Sequence, residues 1–130
     1  VNVLVDTSVW VGHFKRRNAL LAGLLEDGRV ICHPHVIVEV ACGTPPDRRA
    51  IVDLLAGLES APVATHEELL TLIERQSLCG RGCGFVDVSL IGSALLGEST
   101  LIWTLDKRLD TVAAELGRSY RPGPFGSAVP

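Results

Sequence analysis

Four carboxylates in this 130-residue chain stand where a charge is costly, each among apolar neighbours. Asp6 closes the run Val3-Leu4-Val5, and Glu39 interrupts the run from Val36 to Ala41. Asp87 lies between Val86 and Val88, and Asp106 follows Trp103-Thr104-Leu105. Charged groups in such surroundings need partners. Taken singly, each acid has an ordinary explanation: Asp6 and Asp106 as helix caps, Asp87 as complement to a helix dipole, Glu39 on a solvated edge. The set is harder to explain that way. Two like charges repel by about 4 kcal/mol at roughly 4 Å and an effective dielectric near 20. Four gathered carboxylates therefore take up protons or hold a cation. An all-oxygen donor set suits Mg2+ or Mn2+, and such ions activate water for attack on a phosphodiester. Asp110, four residues after Asp106 and on the same helix face, is open to three readings: a fifth ligand, a group that orients ligands, or an exposed helix acid.

Other constellations are thinner. His35 and Glu39 are four apart, but no third nitrogen ligand accompanies them. His66-Glu67-Glu68-Leu69-Leu70 lacks the second histidine of a zinc protease helix. Of the four cysteines, Cys32, Cys42, Cys79 and Cys83, three lie in or beside apolar segments, which suits small buried hydrophobes, and Cys79 and Cys83 have a loose zinc-like spacing without a second pair. Asp6-Thr7-Ser8 resembles the nucleophile motif of haloacid-dehalogenase-type phosphatases, which wants a second aspartate where this chain has Ser8. Gly80-Arg81-Gly82-Cys83-Gly84 reads as a connector, because no strand precedes it and no Lys-Ser/Thr follows.

The elements that must position the acids can be read from periodicity and punctuation. Residues 2–6 form a short apolar strand, and Thr7 or Ser8 caps a helix through Val9, Trp10, Val11 and Phe14. A helix near 18–26 stops at Asp27-Gly28, and Arg29 to Cys32 form a second strand. His33-Pro34 opens a helix that ends at Gly43, and another spans about 46–58. Pro62-Val63 is expected to be a brief extended piece. Thr65 and Glu68 make a capping box for a helix at 66–78. An apolar helix at about 86–97, a strand at Thr100–Trp103 and a helix near 106–116 follow, and Ser119-Tyr120-Arg121 is expected to add an edge strand. The alternation makes the fold α/β: a central parallel sheet of four to five strands with helices on both faces. One domain is expected at 1–122, with a flexible Pro/Gly-rich tail at 123–130.

At 47% apolar residues the chain is globular, with no apolar run of membrane-spanning length and no signal-like N-terminus, so a cytoplasmic protein is expected. The net charge of −3 argues against a polyanionic partner only if the acids are spread evenly. With five site candidates set aside, ten acids remain against twelve bases, and arginine outnumbers lysine ten to two. Arginine favours bidentate phosphate contacts. Lys15, Arg16, Arg17, Arg48, Arg49, Lys107 and Arg108 are candidates for an RNA-binding rim, or simply a solvated surface.

The pieces Leu4-Val5-Asp6-Thr7-Ser8, Val38-Glu39-Val40, Phe85-Val86-Asp87-Val88-Ser89 and Thr104-Leu105-Asp106 resemble, in order and spacing, the PIN domain family. The chain resembles in particular the VapC-type toxins of bacterial toxin–antitoxin pairs. The resemblance covers nearly the whole chain. It implies a parallel sheet sandwiched by helices and a Mg2+- or Mn2+-dependent endoribonuclease. It also implies inhibition of translation by cutting transfer or ribosomal RNA, a homodimer, and a VapB-type antitoxin whose C-terminal segment enters the active site. Carried over by position, Asp6, Glu39, Asp87 and Asp106 are the catalytic and metal-binding quartet, with Thr7, Ser8 and Thr104 orienting carboxylates or waters. Hydrolysis would leave 5′-phosphate and 3′-hydroxyl ends. Two segments depart from the family pattern: Val88-Ser89, where alanine-rich sequence is commoner, and Lys107 to Thr111, which does not end in an aromatic residue. The alternative is a degenerate PIN domain that binds RNA or a protein without cutting.

Overall fold

A computed structural model describes residues 1–122, so the expectation for 123–130 lies outside the described residues. The elements in chain order are β1 (Asn2–Val5), α1 (Thr7–Lys15), α2 (Ala19–Glu26), β2 (Val30–Cys32), α3 (Pro34–Cys42) and α4 (Arg48–Ala56). They continue with β3 (Glu59–Ser60), α5 (His66–Arg75), α6 (Phe85–Leu96), β4 (Thr100–Trp103) and α7 (Lys107–Glu115). The four strands form one sheet in the order β3-β2-β1-β4, and every pairing is parallel. The chain is the expected α/β fold.

Strand order dictates where a site can form. The chain walks outward from β1 to β2 and β3, then crosses back to lay β4 on the other flank of β1. Right-handed crossovers on the two sides of that reversal put their helices on opposite faces. A crevice opens at the carboxyl ends of the two strands that meet there. Those strands are β1 and β4.

The sheet is rigid at that point because it is dry. Val3, Leu4 and Val5 are fully buried, as are Ile102 and the core-facing Trp10, Leu21, Leu55, Leu90 and Leu109. Each such side chain contributes about 1.5–3 kcal/mol of burial. α6 is apolar all round because it runs through the core, with Val88 to Ala94 buried.

Three expectations shift. The outer extended piece falls at Glu59–Ser60 instead of Pro62-Val63. The amide of Ala61 still donates to the Cys32 carbonyl at 2.9 Å, and Pro62 has no N–H with which to continue. Ser119 makes a single parallel bridge to Ile102 in place of a full edge strand. The cap position of α1 is Asp6, ahead of the expected Thr7 or Ser8, and its carboxylate makes no capping hydrogen bond. No helix among the described residues is long and apolar enough to cross a membrane.

Candidate active site

Strand register brings the first groups together. Val5 pairs with Trp103, so Asp6 and Thr104 follow abreast, and the Asp6 amide extends the ladder to the Trp103 carbonyl at 2.9 Å. Side by side, the Thr104 hydroxyl donates to Asp6 Oδ2 at 2.7 Å and the Ser8 hydroxyl to the same oxygen at 2.8 Å. This is why Asp6 does not cap α1: its carboxylate is turned to the β4 side, where two hydroxyls satisfy it. Asp6 is buried, only 6% exposed. Thr104 Oγ1 also accepts from the Asp106 amide at 3.0 Å, fixing the turn that delivers the next acid.

The other three carboxylates are each held by one oxygen. Glu39 Oε1 accepts from the Thr7 hydroxyl at 2.6 Å, which ties α3 to the start of α1. Asp87 Oδ2 accepts from the Gly84 amide at 3.0 Å, at the first turn of α6. Asp106 Oδ1 caps α7, accepting from the amides of Arg108 at 2.8 Å and Leu109 at 3.3 Å. In every case the second oxygen has no hydrogen-bond partner among the described residues. Ion pairs among the described residues are confined to Arg81–Glu115 and Arg121–Asp110, so none of the four acids is ion-paired there.

They feel one another. Burial pushes the Asp87 carboxyl above its ordinary range, and the charges of Asp6, Asp106 and Glu39 push it further, against the Gly84 amide that pulls it down. Among the described residues no three His, Cys, Asp or Glu side chains close on a single point. The four acids are gathered, yet held apart by the groups that anchor them. Carboxylate oxygens, each with one oxygen free, are by their chemistry the donors a divalent oxygen-seeking cation prefers, although no three of them among the described residues are placed to hold one.

Asp110 faces elsewhere. It accepts from the Ser119 hydroxyl at 2.5 Å and pairs with Arg121 at 2.9 Å. Of the basic candidates, Arg108 lies against the Gly80–Gly84 loop, and Lys15 shares with Glu39 a groove of about 220 Å3 lined by Val11, Phe14, Val40 and Pro45. Arg48 and Arg49 line a separate shallow groove with Val52 and Asp53. Arg16 and Arg17 follow α1 and Lys107 opens α7, all three exposed and without a side-chain hydrogen bond among the described residues.

Two features have no counterpart in the sequence reading. Gly82, with φ +83°, packs so closely on Arg108 that an added Cβ would lie 2.6 Å from its Cδ. The rings of His33, His35 and Phe85 form a row, with centroids 4.7 and 4.8 Å apart. Glycine flanked by Arg81 and Cys83 was a signal for the first; nothing local signals the second.

Residues 3–115 match the model of the PIN domain. The chain is also 48% identical over 115 residues to Ribonuclease VapC32 of Mycobacterium tuberculosis, in strains CDC 1551 / Oshkosh and ATCC 25618 / H37Rv. The match covers 88% of this chain and 93% of each relative.

Proposed function

The chain belongs to the PIN domain family, and from that premise we propose that it is a Mg2+- or Mn2+-dependent endoribonuclease, the VapC-type toxin of a toxin–antitoxin pair. The observation that carries the reading is the quartet Asp6, Glu39, Asp87 and Asp106, brought from four elements, none ion-paired among the described residues. The similarity to a protein named ribonuclease supports the reaction class.

When bound, the divalent ion supplies activation of water and offsets charge developing on the phosphodiester. The residues of the chain do the rest. Ser8 and Thr104 hold one oxygen of Asp6 and leave the other without a hydrogen-bond partner among the described residues; Thr7 does the same for Glu39. Arg108 and Lys15 stand on the flanks of the acids and supply the positive charge a polyanion needs. Cleavage of transfer or ribosomal RNA would inhibit translation and place the work of the protein in the cytoplasm. The apolar groove beside Glu39 suits the C-terminal segment of a VapB-type antitoxin, which would block the site from there. A second copy is the other expected partner, and the exposed Leu95 and Leu96 on α6 offer it an apolar face.

The decisive experiment is incubation of the purified chain with bacterial RNA in Mg2+ or Mn2+, with EDTA and Asp6→Asn controls. New 5′-phosphate ends are expected only for the wild type with metal. Cleavage that survives EDTA or D6N would sink the metal mechanism.

A further inference from the structure

We propose that Phe85, braced by His35, is a stacking platform for one nucleobase of the RNA, immediately beside the acidic cluster; this rests on the nuclease reading above. Phe85 is the first residue of α6 and is 62% exposed, although the helix it opens is the most buried of the fold. An isolated exposed phenylalanine would be unremarked on a surface. This one is held in place. Its ring centroid lies 4.8 Å from that of His35 at an interplanar angle of 41°, and the His35 ring lies 4.7 Å from that of fully buried His33. His35 Nδ1 is 3.3 Å from Ser89 Oγ, and the same hydroxyl donates to the Phe85 carbonyl at 2.8 Å. The ring row is therefore locked to the first turn of α6.

Position decides what the ring meets. Asp87 follows two residues later on the same turn, and Glu39 follows His35 by one turn of α3. A base lying on Phe85 would sit on the α3 side of the acids, because the ring touches His35 and Glu39 shares a face of α3 with His35. Phe85 also walls a cavity of about 260 Å3 with Leu70, Ile73, Cys83 and Val88, which gives the base an apolar floor. Single-stranded RNA is recognised by such stacking, because every base has a π-face and the 2′-hydroxyl and phosphate remain outside. The platform would select for an unpaired nucleotide at the cut site.

The test compares wild type with Phe85→Leu, Phe85→Tyr and Phe85→Trp on short single-stranded RNA in Mg2+. F85L keeps apolar bulk and loses the flat face, so KM should rise about tenfold with kcat within about twofold, and F85Y and F85W should match wild type. An abasic scan of the RNA should contain one position that raises KM as much as F85L does, and F85L should add nothing there. Titrating F85W with the same RNA in EDTA should quench its emission, and the abasic RNA should not. Unchanged KM in F85L together with unchanged F85W emission would overturn the platform while leaving the nuclease intact. Loss of self-association or of antitoxin-peptide binding in F85L, with RNA kinetics intact, would assign the ring to a protein partner instead. If wild type binds RNA without cutting it, the nuclease reading falls and the F85W titration still decides the stacking.

Discussion

Thr104 ties the candidate metal site to the sheet. Its single hydroxyl donates to Asp6 and accepts from the Asp106 amide, so one oxygen sets two of the four acids. Thr104→Val preserves shape in this buried position and deletes both bonds. The expected cost is about 1–3 kcal/mol in urea unfolding and roughly 10–100-fold in metal affinity or cleavage. T104S should recover most of both. Full activity in T104V would mean Asp6 needs no orienting partner. Gly82 makes the complementary case for the basic side. Its φ of +83° is unfavourable for any side chain, and a Cβ there would collide with Arg108. Gly82→Ala should cost about 1–2 kcal/mol and, with Arg108 on a phosphate, both it and Arg108→Ala should weaken RNA binding with a salt slope shallower by about one. Unaltered salt slopes in both variants would remove Arg108 from the interface.

At the scale of elements, β2 hands over to α3 through a buried histidine. His33 Nδ1 accepts from the His35 amide at 3.0 Å and so caps α3, while Nε2 is buried with no partner among the described residues. Burial, reinforced by the charge of His35, depresses the His33 pKa to about 4 from its ordinary 6.5. Between those values the unfolded chain binds a proton that the folded chain refuses, so stability rises with pH. The contribution is complete above about 6.5 and is lost as pH falls toward 4, on the order of 3 kcal/mol. His33→Asn keeps an oxygen for the cap, and its unfolding free energy should lose this slope between pH 7 and 4.5. An unchanged slope would assign the acid lability to other groups. The same region marks what the sequence could and could not tell. Apolar strands ending in Asp6 and near Asp106, and a capping box at Thr65 and Glu68, are local patterns, and the sheet and helices follow from them. Glu39 and Asp87 stood out as single carboxylates set among valines, although Glu39 proves exposed and Asp87 only half-buried. The outer strand lies at Glu59–Ser60, ahead of the expected Pro62-Val63, because Pro62 has no N–H with which to continue the ladder. His35 and Phe85 meet across fifty residues of chain, and Gly82 meets Arg108 across twenty-six; only packing of α3, α6 and α7 makes those contacts.

For the whole molecule, a net charge of −3 conceals an uneven distribution, with four carboxylates, none ion-paired among the described residues, near enough that the other three add to burial in raising the Asp87 carboxyl. Mutual repulsion there opposes folding, and a cation that binds only the folded arrangement removes it. Binding to the native state stabilises by RT ln(1 + [L]/Kd), or about 2.7 kcal/mol at a hundredfold excess over Kd. For a domain of this size that is roughly 5–10 °C in Tm. Wild type should therefore melt higher as Mg2+ or Mn2+ is raised into the millimolar range, and EDTA should reverse the gain. Asp6→Asn should lose most of the shift, yet melt no lower than wild type in EDTA, because removing one of four like charges relieves the others. Monovalent salt at equal ionic strength should reproduce only the small screening part, since the Debye length is already about 8 Å at 0.15 M. Equal shifts in wild type and D6N, or equal effects of NaCl and MgCl2, would show that the acids are crowded for a reason other than holding a divalent ion.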